Sequence, residues 1–495
     1  MSHDKTPPKL TRRDALKFLG TGTVATLATD LLRGETTGRN ESTSAGRKAD
    51  VVVVGAGFAG LVAARTLIRQ GHNAVVLEAR DRVGGRVKAG KIAGRVVDVG
   101  GMWVGPTQTG LLALIKEYGL HTTPQYIAGK NVEQVVGKRW LAEGENVSLD
   151  PPAQKEFDAT LAELDRLSAQ VPLDTPWTAP QAEELDRITV EDWLNANTKF
   201  ESVRSLLRAN TRSLFEADPF QMSFLYFLFY IRSGDNFETL LGVKDAAQAF
   251  RVVEGLHSVA GKLASELDKA IMFDAPVRSI SQHESGVTVS SDKGDWLADY
   301  CVVAVPPPLS VRIAYNPPLS AQRDALAQHM PMGSVIKWYA AYDKPFWRER
   351  GWNGYANSAL PPINVCYDAT PPDGKPGLLV GFIDSSSALR WTSRSVDDRK
   401  KLVIDRLVDF FGPEAGHPID YEDQNWPAEV WSRGCYGASM GPGVMTTVGK
   451  VIREPHGRIY WAGTETSAKW MGYVEGAIRS GERAASEVLA NYKSK

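Results

Sequence analysis

A chain of 495 residues, 43% of them hydrophobic, is long enough to bury a large core and to divide into more than one domain. Its 57 basic and 58 acidic residues leave a formal net charge of −1, so no overall field draws it toward nucleic acid or anionic lipid. Three cysteines, Cys301, Cys366 and Cys435, lie too far apart for a CxxC redox pair, a metal-ligand spacing or a disulfide framework, and no metal site is expected.

At the N-terminus, Thr11-Arg12-Arg13-Asp14-Ala15-Leu16-Lys17 precedes a short, mostly apolar stretch from Phe18 to Leu32. Paired arginines ahead of a weakly hydrophobic segment match a twin-arginine signal, with Ala15 where Phe is common and no clear AxA cleavage site behind it. Residues 1–46 are therefore expected to direct folded protein through the twin-arginine translocase to the periplasm; an ordinary basic tail on a cytoplasmic protein is the alternative. Gly34 to Lys48, rich in Gly, Ser, Thr and charge, reads as a linker.

The first folded signal is Asp50-VVVV-Gly55-Ala56-Gly57-Phe58-Ala59-Gly60, a β-branched run meeting GxGxxG and then the helical pattern LVAARTLIRQG. Gly55, Gly57 and Gly60 let the backbone turn sharply and approach a pyrophosphate, whose charge the N–H groups at the helix start stabilise. A second strand from Asn73 to Leu77 ends on Glu78, an acid placed to accept hydrogen bonds from both ribose hydroxyls. To this point the nucleotide could be NAD or FAD. The continuation Ala79-Arg80-Asp81-Arg82-Val83-Gly84-Gly85-Arg86 offers a second close backbone approach and a forked cation for phosphate or flavin oxygens. It resembles the RxGGR motif of the flavin amine oxidases.

Farther along, Pro151 to Gln170 and Thr189 to Ile231 carry helical periodicity. The apolar run from Phe224 to Ile231 is about eight residues against the roughly 20 of a membrane helix, so it reads as buried helix. Ala298-Asp299-Tyr300-CVVAV is a buried strand ended by Pro306 and Pro307, and Ser334 to Asp384, rich in aromatic and β-branched residues, reads as sheet. Arg458-IYWAG-Thr464-Glu465-Thr466 gives a further strand and turn, and Tyr473-Val474-Glu475-Gly476-Ala477 opens a helix that runs to the C-terminus and could face a flavin's electron-rich edge. The expected fold is α/β: a Rossmann-like nucleotide domain assembled from residues 47–122, 252–309 and 429–495, with a mixed sheet-and-helix substrate domain from 123–251 and 310–428.

With these segments in place, VVLEARDRVGGR, GGMWVGPTQTGLLALIKEYGL, PMGSVIKWYAAYDKPFWR, RGCYGASMGPG and WAGTETSAKWMGYVEGAIRSGERAA resemble, in order and spacing, the flavin-containing amine oxidases of the monoamine oxidase type, over roughly residues 48–490. The resemblance implies FAD as cofactor and oxidation of an amine by O2 with release of hydrogen peroxide. It carries Lys337 as the active-site lysine reaching the flavin N5 through a water, and Tyr436 with Tyr473 as an aromatic cage that steers the amine. Beyond the glycines, Glu78, Arg80, Gly84, Gly85 and Arg86, it implies cofactor contacts at Gly101, Val277, Trp426, Gly463, Thr464, Glu465, Tyr473 and Val474. Cys435 matches a cysteine that in the animal enzymes bonds the flavin as a thioether, whereas some microbial relatives keep FAD noncovalently; Arg433 departs from the small residue usual just before it, and both states stay open. Trp103, Leu240, Gln248 and Val365 match substrate-cavity positions, Val365 replacing a bulky aromatic residue.

A primary arylalkyl or alkyl monoamine is the expected substrate. A diamine or polyamine would need an acid at the far end of the cavity, which the sequence does not locate, and an L-amino acid would need an arginine where Trp103 stands. The chain ends at Asn491-Tyr492-Lys493-Ser494-Lys495, soon after its last predicted helix and without the membrane helix of the animal enzymes, so no membrane span is expected. A homodimer is left open.

Overall fold

The computed structural model describes residues 47–143 and 149–493. The twin-arginine segment and most of its linker lie outside the described residues. The expected α/β architecture is present. Strand Val51–Val54, helix Phe58–Arg69 and strand Ala74–Leu77 follow one another, and the strands belong to a five-stranded parallel sheet. In spatial order that sheet runs Ile271–Met272, Ala74–Leu77, Val51–Val54, Tyr300–Val303, Ile459–Trp461. Its three central strands are buried throughout, which explains why their sequences are continuous apolar runs instead of alternating ones.

The long C-terminal helix Val474–Lys493 packs beside Phe58–Arg69, both lying against the sheet. Gly481 lets them approach, since a Cβ there would stand 2.3 Å from the Ala59 carbonyl oxygen. A flanking five-stranded sheet is built from Arg47–Lys48, Gly294–Ala298, Gly286–Ser291, Val277–His283 and Ala314–Asn316.

A second large sheet has seven strands, in spatial order Asp420–Asn425, Val335–Tyr342, Gly377–Asp384, Val365–Asp368, Trp352–Ser358, Lys130–Val135 and Lys138–Glu143. Four of them come from the stretch read as sheet, Ser334 to Asp384. Strand Val335–Tyr342 is buried along its whole length because it pairs on both edges and carries packing on both faces. Between strands Lys138–Glu143 and Phe250–Val252 the chain forms helices Pro151–Ser168, Val190–Asn197, Glu201–Phe215 and Phe224–Ser233 around one apolar core. The Phe224–Ser233 helix is buried on nearly every side, as its uninterrupted apolar run requires. No helix among the described residues is long and apolar enough to cross a membrane. A small sheet, Trp103–Val104, Phe250–Val252 and Thr122–Pro124, links the stretches that the two large sheets draw on.

The GxGxxG turn depends on two glycines for different reasons. Gly55 has a φ of +101°, a conformation side chains disfavour, and a Cβ at Gly60 would lie 1.9 Å from the Gly55 carbonyl oxygen. Gly60→Ala is expected to destabilise the fold by about 3 kcal/mol through overpacking. A thermal unfolding midpoint equal to that of the parent would contradict this account of the turn.

Candidate active site

A cavity of about 460 Å³ runs from the Gly55–Gly57 turn to a wall of aromatic side chains. At the first end Glu78 is 3% exposed, and its carboxylate accepts from the Ala56 N–H at 2.7 Å and the Arg80 N–H at 3.0 Å, which fixes its position at the strand end. The second glycine turn docks on the first: the Gly84 N–H donates to the Ala56 carbonyl at 2.9 Å, and a Cβ on Gly85 would stand 3.2 Å from the Gly57 Cα. The bare backbone of Gly55, Gly57, Gly84 and Gly85 therefore lines the cavity beside an acid, as a dinucleotide's pyrophosphate and ribose need. Val277, Arg80, Gly101, Cys435, Gly463, Thr464 and Val474 line the same space.

Arg86 also lines it, and it binds the three parts of the chain together. Its guanidinium donates to the Tyr436 carbonyl at 2.7 Å and to the Glu465 carboxylate at 2.5 and 3.2 Å. Burial works against its charge, but the Glu465 carboxylate outweighs burial and raises the guanidinium above its usual range. Glu465 is 2% exposed and stands behind the wall, holding Arg86 and accepting from the Ala438 N–H at 3.3 Å. The Thr464 hydroxyl donates to the Tyr473 carbonyl at 2.8 Å, which ties the turn to the start of the last helix.

At the aromatic end, Tyr436 and Tyr473 both face the cavity, joined by Tyr230, Tyr367, Phe382 and Trp103. Phe382 meets Tyr436 edge-on at 6.0 Å, and Trp103 meets Tyr367 at 5.0 Å. The Tyr230 ring stands 6.3 Å from that of Tyr473. Leu240, Gln248 and Val365 are on this wall as well; the Gln248 amide donates to the Leu240 carbonyl at 3.2 Å, while its carbonyl oxygen is buried without a partner.

Four of the residues singled out from sequence stand off the wall. Lys337, 2% exposed on strand Val335–Tyr342, donates to the Gly100 carbonyl at 2.8 Å just behind the Gly100–Gly101 turn. Its ammonium is 5.5 Å from the Trp103 ring and 5.9 Å from that of Phe382, and burial pushes it down to about 7, with Asp98 working in the other direction. Trp426 is buried beneath the wall and donates to the Val99 carbonyl at 3.0 Å. Gly60 is inside its helix, and Glu465 is behind Arg86. Of the three cysteines only Cys435 reaches the cavity; burial pushes its thiol up to about 12, opposed by Arg86.

Sequence reasoning passed over Tyr230, Tyr367 and Phe382. Tyr230 belongs to the apolar helix FLYFLFYIRS, where one tyrosine among aromatic residues gives no sign of facing a cavity. Tyr367 and Phe382 lie on strands read only as sheet, and which face points inward follows from register.

The whole of this framework has counterparts. Residues 58–489 match the family model described as flavin containing amine oxidoreductase. The amine oxidase [flavin-containing] of Oncorhynchus mykiss is 36% identical over 446 residues, 89% of this chain and 85% of the relative. A Mycobacterium tuberculosis protein provisionally named flavin-containing monoamine oxidase AofH is 41% identical over 441 residues, 89% of this chain and 96% of the relative. Among solved structures, a putrescine oxidase redesigned at its cofactor site superposes with a TM-score of 0.87 at 34% identity, and the cyclohexylamine oxidase of Brevibacterium oxydans with 0.86 at 33%; each covers 90% of this chain and 99% of its own.

The buried lysine yields a test of its own. Because the folded-state ammonium titrates near 7 and an unfolded lysine near about 10.4, the unfolded chain binds the extra proton between those values. The cost of burying Lys337 is then fullest below about 7 and fades as pH rises toward the unfolded value. Lys337→Met should raise the melting temperature, with a larger gain at pH 7 than at pH 10; a gain independent of pH would show that the ammonium is not desolvated.

Proposed function

Because the chain belongs to the flavin-containing amine oxidoreductase family, we propose that it oxidises primary monoamines on arylalkyl or alkyl chains. The imine product is hydrolysed to aldehyde and ammonia, and O2 is reduced to hydrogen peroxide. The cofactor is FAD, which when bound accepts the hydride and passes the electrons on. Gly55, Gly57, Glu78, Gly84 and Gly85 would hold its phosphates and ribose, and Gly101, Thr464 and Val474 its ring system.

The observation that carries the substrate class is the lining of the aromatic half: Trp103, Tyr230, Val365, Tyr367, Phe382, Tyr436 and Tyr473 bring no charge to it. Such walls hold the amine by its apolar body and exclude water. A hydride leaves the α-carbon only when the nitrogen lone pair is free to stabilise the developing positive charge, and burial favours that neutral amine. No side-chain base is then required beside the carbon. Lys337, behind the Gly100–Gly101 turn, supplies in its cationic form a charge that favours electron transfer to oxygen.

The likeness to putrescine oxidase raises a diamine as the second reading. A second ammonium would need a carboxylate on the wall, and among the described residues the only one there is Glu78, already held by two backbone N–H groups at the nucleotide end. A substrate carboxylate would need an arginine, and of those on the wall Arg80, Arg86 and Arg278 sit in the nucleotide segments while Arg312 donates to the Val430 carbonyl of the third. In stopped-flow assays benzylamine, phenylethylamine or an alkyl monoamine should reduce the flavin rapidly, at a rate that rises with pH. Replacing both Tyr436 and Tyr473 with alanine should lower that rate on the order of a hundredfold with FAD retained. Rapid reduction by putrescine or spermidine with all monoamines inert would replace this reading by the diamine one.

Two further proposals concern Cys435 and the N-terminus. Its unique position on the cavity wall supports Cys435 as the site of a thioether to the flavin. After acid precipitation the yellow colour should remain with the protein and be lost from the pellet in Cys435→Ala; colour released from the parent protein excludes the bond. The Arg12-Arg13 pair supports export to the periplasm. Changing both to lysine should leave peroxide-forming activity in the cytoplasmic fraction, whereas undiminished periplasmic activity would remove the export reading.

A further inference from the structure

Behind Tyr436 the fold buries two carboxylic acids that the chemistry above does not use. Glu216 follows helix Glu201–Phe215 with a left-handed φ of 53°, and Asp384 ends strand Gly377–Asp384 opposite Val335. Each is 1% exposed. The Ser334 N–H donates to the Glu216 backbone carbonyl at 2.8 Å, and a Cβ on Gly333 would lie 3.0 Å from the Glu216 Cβ and 2.6 Å from the Cys435 carbonyl oxygen. Glu216 is thus wedged beneath the turn that presents Cys435 and Tyr436 to the cavity. The Tyr436 hydroxyl and the Ser385 N–H lean on its carboxyl, yet none of the four carboxyl oxygens of the two acids has a hydrogen-bond partner of good geometry.

Unpartnered buried carboxyls are costly, so their surroundings matter. Arg212 faces the pair from the helix, Asp218 from the loop that follows it, Tyr230 from helix Phe224–Ser233, and Cys435 with Tyr436 from the cavity turn. Burial, and then the charge of Asp384, hold Glu216 well above the usual carboxylate range. Burial raises Asp384 to about 7, against Arg212 and with Asp218. Two such acids do not both ionise readily: Asp384 takes up the first charge as pH rises through about 7, and that charge opposes ionisation of Glu216.

We propose that the Glu216–Asp384 pair places a single negative charge behind Tyr436, and that this charge draws the amine into the aromatic end of the cavity as its ammonium, in preference to neutral molecules of the same shape, the proton passing to water before the neutral amine reacts. The inference rests on the monoamine reading of that cavity. Aromatic faces attract a cation weakly by themselves; a charge one side chain deeper adds a long-range term in a site where water does not screen it. The acids touch no substrate. They are positioning residues, acting through the electrostatics of the cage.

The test uses the FAD-loaded enzyme and two ligands it cannot oxidise: 2-phenyl-2-propylamine, which has no α-hydrogen, and the isosteric 2-phenyl-2-propanol. Dissociation constants are read from the shift of the flavin absorption between about pH 6 and 8.5, where the amine stays protonated. In the parent enzyme the amine should bind more tightly as pH rises through about 7, and the alcohol should not. Lys337 titrates in the same range and gives the same trend, so the variants decide. Glu216→Gln with Asp384→Asn should lower the ratio of amine to alcohol affinity about tenfold at pH 8, the size of a partly screened charge pair. Asp384→Asn alone should shift the onset of tight amine binding to higher pH, where Glu216 ionises, and serves if the double variant does not fold. An unchanged ratio in these variants, or equal weakening of both ligands, overturns the proposal. Benzylamine turnover by the parent enzyme tests the substrate reading separately, because neither binding ligand is a substrate.

Discussion

The ion pair between Arg86 and Glu465 is the constraint on which the site depends. Arg86 follows the second glycine turn and Glu465 follows strand Ile459–Trp461, nearly the whole chain apart, and the same guanidinium also holds the backbone of Tyr436. One cation thus registers the glycine turns against the aromatic wall. Breaking one side of such a buried pair leaves an uncompensated charge, a cost of about 3–5 kcal/mol. That is a large share of a domain's net stability, so the geometry that joins the two ends of the cavity is under the same constraint as the fold itself.

Around that junction the cavity divides by polarity. Its nucleotide end offers bare glycine backbone, one carboxylate fixed by backbone N–H groups, and arginines; its other end offers aromatic rings and no charge. The charged groups near the aromatic end are all set one layer back: Lys337 behind the Gly100–Gly101 turn, Glu465 behind Arg86, Glu216 and Asp384 behind Tyr436. In that position they influence the energy of charge inside the cavity without offering a substrate a direct polar contact. A low-dielectric wall lets them do so at a distance that water would screen.

Much of the fold was legible because it follows from local rules. The β-branched run before Gly55, the acid at the end of the second strand and the helix after Tyr473 each became the element that their composition implies. So did the aromatic-rich stretch Ser334 to Asp384, which folds mainly as strands. The glycines of the two turns, Gly57 and Gly85 among them, were visible as motifs, whereas the partners of Arg86, Glu465 and the Tyr436 carbonyl, lie hundreds of residues away and were not.

What sequence could not fix is which side chains meet across the chain. Tyr230 reads as one more aromatic residue in an apolar helix until that helix is set against Tyr473. Glu216 and Asp384 look like a surface loop acid and a strand-end acid; only the docking of the Glu201–Phe215 helix beneath the Cys435–Tyr436 turn buries them together. Trp426 and Lys337 carry the motifs expected of cavity residues, yet they stand just behind the wall: the register of strand Val335–Tyr342 turns Lys337 toward the Gly100 carbonyl, and Trp426, just past strand Asp420–Asn425, donates to the Val99 carbonyl. The sequence by itself determined the glycine turns and the element types, because periodicity and backbone sterics act locally. The tertiary structure alone decided which side chains face the cavity and which charges stand behind it, because burial and electrostatic coupling depend on distances between segments that are remote in sequence.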